Sequence, residues 1–270
     1  MYKDTGDDEP TVRSYTKNIL KVEMPNTVKK LGKEAFSGNL GGFYFSSLER
    51  VELSKSLSKI EDYAFYCCKN LKYIEMSNNI TEIGYRAFSE CENLNIQIPE
   101  SVTKFDMYAF YGCKALESIT IPKSVKKIEY GSFYGCTNLQ QINLPEGLEE
   151  IGHSAFQECK SIKSITIPEG VKKFGDRSFQ DCTNLQQINL PEGLESIGMY
   201  AFNGTSSLSE IIIPASVKEI EAWAFFGWTK NQTIKCRATE AGKNWSIQWN
   251  DTTYNSVGTN IIWGYQDNNA

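Results

Sequence analysis

The sequence predicts a solenoid of about nine stacked coils, and three observations lead to this prediction. A segment of 13 residues, TNLQQINLPEGLE, occurs identically at 137–149 and 183–195. A phenylalanine recurs at spacings of 29, 23 and 22 residues and then every 23 residues. These marker phenylalanines are Phe36, Phe65, Phe88, Phe110, Phe133, Phe156, Phe179, Phe202 and Phe225. Units this short bury their apolar side chains only against one another, so they must stack.

Each coil is predicted to contain two short inward-facing segments followed by a turn. In the coil from Leu139, Ile142 and Leu144 alternate with polar residues, which is the period of a strand with one buried face. A proline follows this strand in seven coils and ends it, because proline has no N–H to give to the ladder. Leu148 and Ile151 form the second segment. The A-F-x-x-C stretch around the marker phenylalanine is then predicted to be a helical turn.

The repeated pattern L-x-x-I-x-L-P-x-x-L-x-x-I-x-x-x-A-F-x-x-C resembles the leucine-rich repeat, in the 23-residue variety of the BspA-like surface proteins of bacteria and some protozoa. The resemblance implies a leucine-rich-repeat solenoid, a right-handed curved coil with short parallel strands on one face and turns or short helices on the other. It also implies an extracellular role in adhesion or protein binding at the cell surface. The motifs of the sequence predict no cofactor.

The ends of the chain are expected to cap the solenoid, because an exposed terminal coil is an apolar edge. We predict an N-terminal cap at 1–18, the solenoid at 19–236 and a tryptophan-containing cap at 237–270. In the C-terminal cap, 244–250 and 260–265 are predicted to be strands around a glycine-containing turn. Trp245, Trp249 and Trp263 are expected to fill and cover the core rather than to form a ligand site.

Two coils depart from the period. Six extra residues between Phe36 and Leu48 predict an inserted loop that carries Phe43, Tyr44 and Phe45. Either this loop contacts a ligand, or its aromatic side chains fold back over the N-terminal end of the core. Between residues 94 and 98 one residue is missing, which predicts a local change of twist.

Six of the eight cysteines lie three residues after a marker phenylalanine and define a cysteine column: Cys68, Cys91, Cys113, Cys136, Cys159 and Cys182. One reading is a set of buried structural thiols, and the other is a disulfide framework between neighbouring coils. The next coils place Thr205 and Trp228 in the same slot, which favours a packing position. Cys67 and Cys236 lie outside the column and are expected to be more reactive.

Composition and motifs exclude several functional classes. The net charge is −5 with no basic cluster, so no nucleic-acid partner is expected. The sequence contains no run of 18 apolar residues, so no transmembrane segment is predicted. Residues 1–18 are polar and acidic and do not resemble a signal peptide. No metal-binding motif is present, and the single histidine, His153, stands at a variable outward position. We therefore predict that the protein is not an enzyme.

The binding candidates are aromatic side chains. Tyrosine joins a large apolar ring to a hydrogen-bonding tip, and eight of the fourteen tyrosines flank the marker phenylalanines. The candidate residues are Phe43, Tyr44, Phe45, Tyr63, Tyr66, Tyr85, Tyr108, Tyr111, Tyr130 and Tyr134. The alternative is that the tyrosines only seal the turn layer. The predicted function is non-catalytic recognition or adhesion at the cell surface, toward a protein or glycan of possible host origin. The alternative is an intracellular interaction scaffold.

Overall fold

A computed structural model describes residues 19–38, 45–250 and 259–267 of the chain. These residues wind as a parallel-strand solenoid of about nine turns, and no helix occurs among them. The leucine-rich-repeat fold predicted from the sequence is confirmed. The described part of the chain offers no helix able to span a membrane.

Two lines of short strands run along the solenoid. The first line, which we call the strand face, consists of β1 (Lys21–Glu23), β2 (Arg50–Glu52), β4 (Tyr73–Glu75), β7 (Ser118–Thr120), β9 (Gln141–Asn143), β11 (Ser164–Thr166), β13 (Gln187–Asn189), β15 (Glu210–Ile213), β17 (Thr233–Cys236) and β18 (Asn260–Trp263). The second line consists of β3 (Lys59–Ile60), β5 (Glu82–Ile83), β6 (Lys104–Phe105), β8 (Lys127–Ile128), β10 (Glu150–Ile151), β12 (Lys173–Phe174), β14 (Ser196–Ile197) and β16 (Glu219–Ile220).

Strands of successive coils pair in parallel and in the register of the repeat. Ile165 of β11 lies opposite Ile188 of β13, and Ile151 of β10 lies opposite Phe174 of β12. Residues 94–98, where one residue is missing, form no strand, so the strand face has no strand between β4 and β7. Ile96 and Ile98 of this coil are nevertheless buried, so the core continues past the interruption.

The marker phenylalanines form one stack through the interior. Neighbouring ring centroids lie 5.3–5.7 Å apart, and the ring planes differ by only 4–20°. The backbone fixes this spacing, because the amide of each marker residue donates to a carbonyl of the next coil, as from Phe65 to Ala87 at 2.8 Å. Every coil therefore presents the same ring to the same neighbour.

The turn around each marker phenylalanine is not helical, and the prediction of a helical turn there is wrong. In every coil from Phe65 to Phe225, the second residue before and the second residue after the phenylalanine have positive φ. In the Phe133 coil these are Gly131 at +59° and Gly135 at +73°. A right-handed helix requires consecutive residues with negative φ, so two left-handed residues in one stretch produce tight turns instead.

The cysteine column supplies hydrogen bonds to the phenylalanine stack. Each column thiol is unbridged and buried, and its Sγ donates to the carbonyl of the marker phenylalanine on the preceding coil, at 2.8–3.3 Å. The Nε1 of Trp228 makes the same kind of bond, to Phe202 O at 3.0 Å. Burial raises the pKa of every column thiol, that of Cys136 to about 12.

Cys236 lies outside this column but shares the burial of its members. Its side chain is buried at the end of β17, and burial raises its pKa to about 12. Since the thiolate is the nucleophile, a thiol held protonated in this way is inert near neutral pH. The higher reactivity of Cys236 relative to the column thiols stays a prediction.

The C-terminal segment continues the solenoid instead of forming two strands around a turn. Only 260–263 is a strand, and it pairs in parallel with β17, whereas 244–250 forms turns. Phe225 donates its amide to Trp249 O at 3.4 Å, which repeats the bond between ordinary coils. Trp245 and Trp249 are buried with ring centroids 5.1 Å apart, and the half-exposed Trp263 lies 5.8 Å from Trp245. Three indoles thus cover the last full coil.

Candidate functional site

Seven of the candidate tyrosines come together as one strip on the turn side of the solenoid. We call this strip the tyrosine ladder: Tyr63, Tyr66, Tyr85, Tyr108, Tyr111, Tyr130 and Tyr134. Its members belong to four successive coils, which the parallel stacking places side by side. All seven side chains are half-buried, so each ring has one packed part and one part open to solvent.

The ladder is continuous because its rings contact one another from coil to coil. The centroids of Tyr63 and Tyr85 lie 5.2 Å apart, those of Tyr85 and Tyr108 6.2 Å, and those of Tyr108 and Tyr130 5.0 Å. Beside this series, the rings of Tyr111 and Tyr134 also contact each other, with centroids 5.1 Å apart. The planes meet at 58–83°, so neighbouring rings pack at steep angles to one another rather than as a parallel stack.

An arginine is built into the ladder. The Arg86 guanidinium lies 4.7 Å from the ring centroid of Tyr108 and 5.5 Å from that of Tyr85, and its Nε donates to the Tyr85 hydroxyl at 3.0 Å. Sequence reasoning did not select Arg86. Its position was the available signal, because Arg86 stands two residues before Phe88, where Tyr63 and Tyr108 stand in the adjacent coils.

A glycine sets the orientation of the central tyrosine. A Cβ built on Gly131 would lie 2.6 Å from Cδ1 and Cε1 of Tyr108, so this ring rests directly on the backbone of the next coil. Burial raises the pKa of Tyr108 to about 12. Its hydroxyl therefore stays protonated at neutral pH and can donate a hydrogen bond.

The ladder ends at the Phe156 coil, where its last two rings meet different partners. The Tyr134 hydroxyl donates to Oε1 of Glu158 at 3.1 Å, and burial, with the negative charge of Glu158, raises the Tyr134 pKa to about 12. The Tyr130 ring lies 6.1 Å from the His153 imidazole. Nδ1 of His153 accepts the amide of Asp176 at 3.0 Å, so the only histidine of the chain bridges two turns.

Of the three aromatic residues of the inserted loop, the structure describes only Phe45. Phe43 and Tyr44 lie outside the described residues, so their part in binding stays a prediction. Phe45 is half-buried, and its ring packs edge-on against Phe36 with centroids 4.9 Å apart. That position covers the first ring of the core stack, as the fold-back alternative requires for this residue.

A smaller aromatic cluster lies further along the same side. The rings of Tyr200 and Trp223 stack at 5.4 Å with an interplanar angle of 24°, and Phe226 meets Tyr200 edge-on at 6.1 Å. The Arg177 guanidinium lies 5.6 Å from the Tyr200 centroid. Both aromatic groups on the turn side therefore contain a tyrosine contacted by an arginine from the preceding coil.

The strand face has a different chemistry. It carries a shallow groove of about 630 Å³, lined chiefly by hydroxyl and amide side chains such as Thr166, Gln187 and Asn189. Arg237 at its edge is held by Glu192 at 3.0 Å and Asp267 at 2.7 Å. The described residues contain no grouping of three side chains suited to hold a metal ion.

The stacked coils, their two strand lines and the recurrent interior rings define a leucine-rich repeat protein. Residues 13–117 and 105–233 match the family model described as BspA type leucine rich repeat region, in six copies. Since these matches span most of the 270 residues, the chain belongs to the BspA-type leucine-rich repeat family.

Solved structures include similar chains. A leucine-rich repeat protein from Bacteroides ovatus is 27% identical over 84% of this chain, with a TM-score of 0.75. This chain spans 60% of the length of that protein. A leucine rich repeat protein from T. pallidum is 30% identical, covering 56% of this chain and 70% of its own, with a TM-score of 0.49. A leucine rich cell surface protein from Faecalibacterium prausnitzii is 22% identical, covering 81% of this chain and 82% of its own, with a TM-score of 0.47. None of the curated proteins matches this chain.

Proposed function

We propose that the protein is a non-catalytic recognition or adhesion module, displayed at the cell surface, that binds a protein or glycan, including one of host origin, through the tyrosine ladder. The observation that carries this proposal is the continuity of seven half-exposed tyrosines over four coils. Tyrosine gives large contact area at a low cost in side-chain entropy, which is why binding surfaces are rich in it.

The backbone beneath the ladder suits such a role because it holds the rings in place before a ligand arrives. Tyr108 rests on Gly131, and the edge-to-face contacts between neighbouring rings restrict the remaining side chains. Preorganised side chains lose little freedom on binding, so more of the contact energy appears as affinity. The side chains of the strand face, by contrast, are mainly amides and hydroxyls, which seldom anchor a tight interface.

A four-site variant tests the proposal. Tyr108, Tyr111, Tyr130 and Tyr134 are changed to serine, and binding to arrays of matrix proteins and glycans is measured with the full chain. We expect ligands bound by the parent protein to be weakened at least about 30-fold, the effect of losing one interfacial hot spot of about 2 kcal/mol. Unchanged binding would remove the ladder from consideration.

A matched control separates this surface from a general loss of structure. Gln141, Asn143, Gln187 and Asn189 on the strand face are all exposed, and changing all four to serine removes a comparable number of polar side chains. We expect this variant to bind as the parent does. Thermal unfolding of both variants checks that the coils remain stacked.

An intracellular interaction scaffold is the second candidate, and the cysteine column favours it. Oxidising compartments promote disulfides, whereas these six neighbouring cysteines are unbridged. Protease treatment of intact cells distinguishes the two candidates. Digestion before lysis supports display at the cell surface, and digestion only after lysis supports the scaffold.

A further inference from the structure

The turn side of the solenoid carries an excess of negative charge. We define the turn face as the seven residues from four before to two after each marker phenylalanine. Across the nine coils these positions hold ten carboxylates and three cationic side chains, a net charge of −7. The complete chain, with 33 acidic and 28 basic side chains, has a net charge of −5, so the remaining 23 acidic and 25 basic side chains sum to +2. The acidic excess of the sequence therefore lies at these positions, although lysines outside them pair with some of the carboxylates, such as Lys160 with Glu158 at 3.8 Å.

Two carboxylates beside the ladder remain available to a partner. Glu61 and Glu129 are neutralised by Lys59 at 3.2 Å and Lys127 at 3.5 Å. By contrast, Glu90 and Asp106 enter no ion pair within the described residues.

These two carboxylates flank the centre of the ladder. The Glu90 carboxylate lies over the turn of the next coil, where a Cβ built on Gly112 would be 3.2 Å from its Oε2. Asp106 is exposed, and its Oδ1 accepts the amide of Met107 at 2.7 Å. They stand on the two coils whose tyrosines contact Arg86.

Arg86 shows how this surface accommodates a guanidinium group. Its planar cation lies beside the rings of Tyr85 and Tyr108, at 5.5 and 4.7 Å from their centroids, and a phenol oxygen accepts its Nε–H. Arg177 lies in the same way over Tyr200. Guanidinium stacks on aromatic rings more readily than ammonium does because it is planar and less strongly hydrated.

From this charge distribution and this packing we infer that the tyrosine ladder docks an arginine-rich polypeptide segment, whose guanidinium groups stack on the rings beside Glu90 and Asp106. The inference rests on the proposed recognition function of the ladder and names its partner. A face with this charge repels nucleic acids and sulfated glycans, and a neutral glycan would leave the two carboxylates without a cation.

Synthetic peptides of equal length test the inference. One alternates arginine with glycine, and the others replace arginine by lysine, glutamine or glutamate. We expect fluorescence anisotropy to rank binding of the full chain as arginine, then lysine, then glutamine, with no binding of the glutamate peptide. Binding of the arginine peptide should weaken steeply as ionic strength rises from about 0.02 to 0.5 M. Equal binding of the arginine and glutamine peptides would overturn the inference.

Isosteric variants locate the charges that matter. Glu90→Gln combined with Asp106→Asn should weaken binding of the arginine peptide about fivefold at low salt. The control is Glu75→Gln with Glu146→Gln, because these exposed carboxylates lie off the turn face and outside the ion pairs of the described residues. Equal weakening by both pairs would indicate only an effect of net charge and would contradict docking at the ladder.

A third variant should increase affinity. Arg86→Gln removes the internal guanidinium that occupies Tyr85 and Tyr108, and we expect about threefold tighter binding of the arginine peptide. The control is Arg50→Gln, because the Arg50 guanidinium lies 4.5 Å from the Tyr73 ring on the strand face. A loss of affinity in Arg86→Gln, with the fold intact by thermal unfolding, would show that Arg86 does not occupy the peptide site.

The two proposals fail in distinguishable ways. If the four tyrosine-to-serine changes abolish array binding but the peptides show no preference for arginine, the ladder is a recognition surface for a different partner. If those changes leave array binding intact, the recognition function itself is lost from this face and the inference falls with it.

Discussion

Two aromatic series run along the same turns, one inside the solenoid and one outside. The interior phenylalanines repeat at one position per coil, with centroids 5.3–5.7 Å apart and planes within 4–20°. The tyrosines outside alternate between positions three and two residues before the phenylalanine, and their planes meet at steep angles. Inside, packing requires the same ring in every coil. Outside, the side chain can differ from coil to coil, so only the outer series can select one ligand over another.

We expect the protein to lose stability at high pH first through the buried cysteine column, before the surface tyrosines respond. Burial holds the column thiols protonated, with a pKa of about 12 for Cys136, whereas an unfolded thiol titrates near about 8.5. Between these values the unfolded chain releases protons that the folded chain keeps, so the free energy of unfolding falls as pH rises. Each thiol contributes about 1.4 kcal/mol per pH unit. We expect circular dichroism to show unfolding at about pH 10.

Variants with fewer thiols provide the control for that titration. Cys113→Ser with Cys136→Ser keeps a hydroxyl donor in each slot, as Thr205 does, and should flatten the decline between about pH 8.5 and 10. The tyrosines add to the decline only above this window, because an unfolded tyrosine titrates at about 10, whereas the pKa values of Tyr108 and Tyr134 in the folded chain are about 12. An unchanged slope would mean that the column does not titrate on unfolding.

The next largest effect contrasts two rings of one coil. Phe133 is fully buried between Phe110 and Phe156, so Phe133→Ala should lower the free energy of unfolding by about 3–5 kcal/mol. Tyr130 is half-buried, and Tyr130→Ala should cost only about 1 kcal/mol. Urea unfolding measures both. Similar losses for the two variants would contradict the division into a structural and a surface series.

A glycine pair separates backbone strain from ring displacement. Gly131 and Gly135 both have positive φ, but a Cβ on Gly131 meets the Tyr108 ring at 2.6 Å, whereas one on Gly135 meets only ordinary contacts at 3.7 Å or more. Gly135→Ala should cost about 1 kcal/mol from strain alone. Gly131→Ala should cost about 1 kcal/mol more and should also weaken ligand binding. Equal stability and binding of the two variants would show that Tyr108 is not seated on Gly131.

The last comparison exchanges a hydroxyl between the two series, and it includes the smallest effect. Tyr134→Phe removes the bond to Glu158 at a half-exposed position and should cost about 0.5 kcal/mol. Phe133→Tyr places a hydroxyl in the interior stack and should cost about 2 kcal/mol, because the group is desolvated there. Calorimetric melting temperatures compare them, and a larger loss in Tyr134→Phe would reverse the predicted order.

Much of this fold could be predicted from the sequence because the interior repeats. Strands fall where Ile142 and its equivalents alternate with polar residues, and the cysteine slot was found from its distance to Phe133 and the other marker residues. Spacing alone did not reveal the turns. Left-handed φ at residues as different as Tyr63, Arg86 and Ser154 has no common residue type, so the stretch read as helical.

The candidate site was predicted as a set of residue types but not as a surface. Tyr85 and Tyr108 differ in position relative to their phenylalanines, and only the turn geometry shows that their rings meet. The cation beside them was missed because an arginine among tyrosines has no sequence signature of its own. The segment 244–250 was predicted to be a strand for a related reason. Its carbonyls accept hydrogen bonds from the turn of the preceding coil, so it forms a turn of its own, and residue propensities do not reveal this long-range contact.

Because the segments at 137–149 and 183–195 are identical, the solenoid could be shortened or lengthened by the two coils between them. Deleting 137–182 would join Cys136 to Thr183, so that Cys136 is still followed by the same 13 residues, while the turn of the Phe133 coil would pack against the Phe202 turn instead of the Phe156 turn. The deletion removes 46 residues, or two coils, and shortens the solenoid by about 10 Å at the usual strand spacing. The distance between the tyrosine ladder and the tryptophan end is thus a number of coils, which duplication or deletion of this unit can change while the strand segment at the junction stays the same.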